Sequence, residues 1–324
     1  MNKSLQYSFI VCCMVLLFSC KKSASNNPAN TTFSTSTPLI DFGTGTYRGY
    51  TGGLYANGSN TRPATHEAAG LSIASNIHPL NAAGQVDDTN GKIVWISIGM
   101  SNATQEARAF LTLVQSFPDK NPKLTLLDCA VGGQDIVILN NAASPYWDSV
   151  FNRLSVAGIT PAQVQVIWFL EAEANPSDTA FSTYPDGLKA KYKSVMQILK
   201  SKLPNLKLSY LSDRIYAGYA TSSLNPEPYA WYAGWVVKRL IADQVSGDAG
   251  LRFAGTNPPA AWLSWGPYLW AKGSTPRSDG LVWLPGDYQS DGTHPSTSGR
   301  QKVAQMLLQF FSTDATTKPW FLKP

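Results

Sequence analysis

The chain has 324 residues, of which 44% are hydrophobic and 15% charged, a length and balance that suit one large α/β domain with a generous core. Its formal charge of +5 is scattered, with no Lys/Arg cluster beyond Lys21-Lys22, so nucleic acid is not indicated as a partner. Of four cysteines, two lie in the first apolar run and one follows it, leaving Cys129 alone in the folded part, which excludes an internal disulfide framework and a cysteine-based metal site.

Residues 1–19 read as a targeting segment, with Lys3 as the basic start, an apolar stretch from Phe9 to Phe18, and Leu17-Phe18-Ser19-Cys20 as the cleavage site. This resembles a bacterial lipoprotein signal, which implies lipidation of Cys20, a membrane partner through that anchor, and a place in the bacterial cell envelope. Residues 20–38 are Ser, Asn, Thr, Ala and Pro for the most part and cannot bury enough apolar surface to order themselves, so a flexible tether is expected. Residues 39–91 are rich in Gly, Thr and Asn with weak periodicity; they read as an N-terminal segment wrapping the sheet or building its rim.

From residue 92 to 324 apolar runs alternate with helical patterns. Strands are predicted at 92–98, 124–130, 164–170 and 206–211, nearly continuous in apolar residues as parallel strands covered on both faces are. One amphipathic helix carries Ala107, Phe110, Leu111 and Val114; another carries Leu188, Tyr192, Val195, Leu199 and Leu203 and stops at Pro204. A third starts after Pro228, and a last one carries Val303, Leu307, Phe310 and Phe311. The order implies a three-layer α/β/α sandwich with a central parallel sheet. Cys129, in an apolar strand, reads as a buried inert thiol.

Two separated motifs carry the chemistry. Ser101, in Gly99-Met100-Ser101-Asn102, ends a predicted strand, where open α/β sheets bind ligands. Asp291 and His294, in Asp291-Gly292-Thr293-His294, supply an imidazole and a local acceptor for its second nitrogen. A serine hydroxyl needs an oriented imidazole of this kind to attack at neutral pH. An oxyanion also needs donors, and three strand ends offer them: the Ser101 N–H, the Ala130-Val131-Gly132-Gly133-Gln134 loop through Gly133, and Asn175 in Glu171-Ala172-Glu173-Ala174-Asn175.

In order and content these blocks resemble those of the SGNH (GDSL-like) hydrolase superfamily, closest to the branch of sialate O-acetylesterase and acetylxylan esterases. That branch has Gly-Gln-Ser-Asn, Ala-Val-Gly-Gly-Thr/Ser, Gln-Gly-Glu-x-Asn and a late Asp-x-x-His. Met100, Gln134 and Glu171-Ala172 depart from it. The resemblance implies an SGNH/flavodoxin-like fold and a lipid-anchored serine esterase removing small acyl groups, acetyl foremost, from a carbohydrate, with no metal and no organic cofactor. Asn102, Gln134, Glu171, Tyr268 and Tyr288 are candidate substrate contacts, the two tyrosines as the surface members of an otherwise core cluster with Trp262, Trp265, Trp270 and Trp283. Glu171 is expected to turn away from the oxyanion, toward Arg214.

Alternatives stand beside this. A non-catalytic glycan-binding or scaffolding lipoprotein would keep the fold, and a lipid or thioester hydrolase would keep the triad. His66-Glu67 and His78 lack HExxH spacing and read as solvated loop residues, and Glu171 with Glu173 lacks the opposing carboxylate a glycosidase needs.

Overall fold

The computed structural model of the protein describes residues 37–324, so the signal segment, Cys20 and all but the end of the tether lie outside it. The segment before the main sheet contains helix α1 (Leu39–Phe42), a two-stranded hairpin of β1 (Thr46–Tyr47) and β2 (Tyr50–Thr51), and helix α2 (Ala64–Ala74). There follow β3 (Ile93–Gly99), α3 (Ser101–Gln115), β4 (Leu124–Asp128), α4 (Ile136–Leu139), α5 (Pro145–Val156), β5 (Val164–Leu170) and α6 (Tyr184–Lys202). The chain ends with β6 (Leu208–Ser212), α7 (Tyr229–Val245), β7 (Trp262–Trp265), α8 (Thr297–Thr313) and α9 (Lys318–Phe321).

The main sheet has five strands in the order β4-β3-β5-β6-β7, every pairing parallel. Both faces are covered, which is why β3, β5 and β6 are buried along their whole length. Side chains alternate between the layers: Val94, Ile96 and Ile98 face α5, α6 and α7, while Ile93 and Trp95 face α3, α8 and α9. The order is doubly wound, and the direction of winding reverses beside β3. Ligands of such sheets bind at that reversal, beyond the carboxyl ends of the strands.

The expected three-layer sandwich is what the chain forms, with adjustments at its edges. β4 ends at Asp128, short of the predicted 130, because Cys129 and Ala130 peel off so that the Val131 N–H can bond to the Gly99 carbonyl at 2.9 Å. β7 falls inside the aromatic cluster. All ten tryptophans are buried to 2% exposure or less, so that cluster is core. Tyr268 and Tyr288 belong to it, which corrects their assignment as surface contacts: the Tyr268 hydroxyl accepts from the Leu39 N–H at 3.0 Å, and the Tyr288 hydroxyl donates to the Tyr216 carbonyl at 2.5 Å. Each phenol has its polar tip satisfied internally, which is what permits its burial.

The N-terminal segment lies against α7 and β7. The Trp231 indole donates to the Thr37 carbonyl at 2.9 Å, the Trp265 indole to Leu54 at 2.8 Å, and the Lys238 ammonium to the carbonyls of Thr51 and Gly52. His66 is not a solvated loop residue. It sits within α2, stacks on Trp262 with ring centroids 4.9 Å apart, and bonds through Nε2 to the Leu263 carbonyl, and burial holds its pKa down.

Candidate active site

The site forms where the loops after the adjacent strands β4, β3 and β5 meet the segment between β7 and α8 that carries Asp291 and His294. Between β3 and α3 the backbone turns on Gly99, at φ 151°, where an added Cβ would lie 2.0 Å from the Leu170 carbonyl oxygen of the neighbouring strand. Only glycine fits a turn that tight, and its effect is to start α3 at Ser101. The hydroxyl therefore stands at a helix N-terminus, where the first N–H groups have no intrahelical acceptor and the helix dipole favours negative charge.

The Ser101 Oγ lies 2.8 Å from His294 Nε2, and His294 Nδ1 lies 2.5 Å from Asp291 Oδ2. With Nδ1–H donating to the carboxylate, Nε2 keeps the lone pair that accepts from the serine hydroxyl. The other carboxylate oxygen, Asp291 Oδ1, accepts from the N–H groups of Thr293 and His294, both at 3.0 Å, and so folds the loop that presents the imidazole. Burial works to raise the Asp291 carboxyl, but the bonds from His294 and from these N–H groups outweigh it and hold the pKa below its ordinary value.

The second loop lies against the serine: a Cβ on Gly132 would meet Ser101 Cβ at 3.9 Å. Gly133 follows at φ 75° in a turn closed by the Gln134 N–H on the Val131 carbonyl, and Gln134 is half-buried at its edge. Asp128 fixes this loop to the serine's helix. Its Oδ1 accepts from Ser97 Oγ at 2.7 Å and the Ala130 N–H at 3.1 Å, and its Oδ2 from Arg108 Nε at 2.9 Å and from Thr104 Oγ1.

The third loop, after β5, is laced to the second through Asp135, whose Oδ2 accepts from the Ala174 N–H at 2.9 Å. Asn175 is exposed at its tip, and its Oδ1 accepts from Ser223 Oγ at 2.9 Å. Glu171 is 0% exposed, which corrects its assignment as a substrate contact. One of its oxygens accepts from the Ala172 N–H at 3.0 Å; burial raises its pKa well above normal, while the charge of Arg214, itself buried, opposes this. Asn102 is likewise no substrate contact: it is 2% exposed and donates through Nδ2 to the Thr293 carbonyl at 3.2 Å, tying the serine's helix to the histidine's loop.

The residues that lock these loops had uneven signals in the sequence. Asp135 precedes the apolar run of α4 and caps it, a pattern legible as an N-cap. Ser223, Asn225 and Thr221 stand in an irregular stretch with no pattern to mark them. Glu173 is paired with Lys191 at 3.3 Å, so it does not face Glu171 across a cleft.

A groove of about 560 Å³ opens between α3 and α8, beginning one turn along α3 from Ser101 and lined by Gln105, Arg108, Thr112, Thr297, Arg300 and Gln301 among others. Amide, hydroxyl and guanidinium groups stand in its walls among Ala109, Leu113, Ala304 and the aliphatic stems of the longer side chains, so the surface it offers is mixed and more apolar than polar.

No family model matches the chain, and no curated protein does. Solved structures resemble it distantly. A GDSL-like lipase from Bacteroides thetaiotaomicron matches at 11% identity and TM-score 0.37, over 76% of this chain and 96% of that one. An acetyl xylan esterase, AlAXEase, matches at 14% identity and TM-score 0.35, over 67% and 98%. The salicylyl-acyltransferase SsfX3 of a tetracycline biosynthetic pathway matches at 17% identity and TM-score 0.34, over 70% and 56%. Likenesses this distant say nothing of the chemistry at Ser101.

Proposed function

We propose that the protein is a serine esterase of the SGNH type that removes small acyl groups, acetyl foremost, from a carbohydrate, and that it is held at a bacterial membrane through Cys20. The observation that carries this is the unbroken chain of bonds from Ser101 Oγ through His294 to Asp291, at 2.8 and 2.5 Å, at the end of a central strand.

Ser101 Oγ attacks the ester carbonyl as His294 Nε2 takes its proton. The oxyanion is held by the Ser101 N–H at the start of α3, the Gly133 N–H and the Asn175 amide. Collapse releases the sugar hydroxyl, which takes the proton back from His294. Water, deprotonated by the same imidazole, then attacks the acyl carbonyl and breaks its bond to Ser101 Oγ, which takes the proton back from His294 as the free acid leaves. Asp291 stays ionised and orients the ring.

The side chains of Gln105, Arg108, Thr112 and Arg300 in the groove between α3 and α8 offer hydrogen bonds to a hydroxylated substrate. Labelling with a fluorophosphonate followed by turnover of acetylated sugars tests the reading. Ser101 takes the label, acetylated sugars are cleaved faster than long-chain esters, and Ser101→Ala loses both properties. An unlabelled wild type would point to a glycan-binding lipoprotein, and a preference for long acyl chains to a lipid hydrolase.

A further inference from the structure

An asparagine can serve an oxyanion only if its amide is turned the right way. Its oxygen and nitrogen are interchanged by half a turn of one soft torsion, and Asn175 is exposed, so burial does not hold its amide. Turned the wrong way it presents a carbonyl oxygen to a developing negative charge.

We propose that Ser223 is the positioning residue that tethers this amide at the site, an inference that rests on the esterase reading above. Its hydroxyl donates to Asn175 Oδ1 at 2.9 Å, which holds the side chain in place and leaves Nδ2 as the group that can donate to a ligand. Ser223 is itself exposed, yet the segment around it is pinned on both sides. The Asn225 N–H bonds to the Ala174 carbonyl and its Nδ2 to the Glu173 carbonyl, both at 2.9 Å, and Asn225 is fully buried. Four residues before it, the Thr221 N–H bonds to the Asp291 carbonyl at 3.0 Å. The Tyr219 carbonyl lies against Gly292, in the loop that carries His294.

Residues 219–225 therefore span from the loop of the amide donor to the loop of the proton acceptor. The segment holds the two at one spacing, and Ser223 is its only side-chain bond to Asn175 among the described residues. This makes Ser223 a residue that never touches the ester and acts on the reaction through another.

The experiment is a double-mutant cycle on Ser223 and Asn175, with active sites counted by fluorophosphonate titration. Removing an oxyanion donor costs about a hundredfold in turnover. Asn175→Ala is expected to lose that much in kcat. Ser223→Ala frees the amide both to turn over and to swing away from the site; with about one molecule in ten left competent, kcat falls about tenfold with KM unchanged, because the bond it supports is made in the transition state. In the Asn175→Ala background, Ser223→Ala changes kcat by less than about twofold, since there is no amide left to aim. Ser223→Thr keeps the hydroxyl and restores most of the activity. A merely structural serine would give the same loss in both backgrounds, and that additivity would overturn the proposal, as would a Ser223→Ala enzyme with wild-type kcat. A wild-type chain that takes up no phosphonate would overturn the esterase reading itself, a result distinct from additive losses in a chain that labels fully.

Discussion

Gly292 offers the sharpest test of how the loop geometry sets the rate. It lies between Asp291 and His294 at φ 64°, and a Cβ added there would stand 1.8 Å from the Tyr219 carbonyl oxygen, against the 3.0 Å below which such contacts essentially never occur. The alanine variant must therefore move one backbone segment or the other by about 1.2 Å, the difference of those two distances. The left-handed conformation adds a local penalty of roughly 1–2 kcal/mol. The displaced segment is the one that holds both ends of the Asp291–His294 bond, and a misplacement of about 1 Å typically costs on the order of a hundredfold in rate. Gly292→Ala is thus expected to lower kcat on 4-nitrophenyl acetate about a hundredfold, while thermal melting falls by only several degrees. Full activity in a folded Gly292→Ala protein would refute the argument that the approach of Tyr219 fixes the position of His294.

Glu171→Gln should leave kcat within about threefold, because the carboxyl is fully buried away from the substrate and burial already favours its neutral form; steady-state kinetics at neutral pH decide this. Burial pushes Glu106 to about 8 and Asp213 to about 7 in the folded chain, above their ordinary values. Both groups keep their protons in the folded state where the unfolded chain has lost them, so stability is full below the ordinary carboxylate range and declines as pH rises toward 8. Melting temperatures measured from pH 5 to 8 should fall, and Glu106→Gln should flatten the decline. Cys129 is 0% exposed and its thiol is pushed up to about 12 by burial, so iodoacetamide at pH 8 should leave it unmodified in the native protein and alkylate it once the chain is unfolded.

The long apolar runs made the sheet legible, because a strand buried on both faces admits little but apolar residues; the run at 164–170 becomes β5 without a residue's change. β7 was hidden for the opposite reason, since four residues containing two tryptophans carry no length or alternation to separate them from a core cluster. The bonded set of Ser101, Asp291 and His294 was legible because local spacing gives away an imidazole with its acceptor, and the end of a strand presents a hydroxyl to it. The polar neighbours were misjudged. Asn102, Glu171, Tyr268 and Tyr288 look available in a sequence, yet each finds an internal partner that only the three-dimensional packing supplies. Ser223 was invisible because its significance lies wholly in a contact with a residue 48 positions away.

The N-terminal segment's hold on β7 bears on how the protein behaves when its ends are trimmed. β7 is the last strand of the sheet, and Arg62, His66 and Tyr55 lie against it through Ser264 and Leu263. A fragment starting where the strand and helix alternation begins, near Lys92, would look like a complete domain in sequence. It would free the Leu263 carbonyl that His66 caps, while the Leu263 N–H kept its bond to Gln244, and it would uncover Trp262 at the sheet's edge. Such a fragment is expected to associate through that uncovered apolar edge, which makes residues 37–91 the cover of β7 in the intact chain.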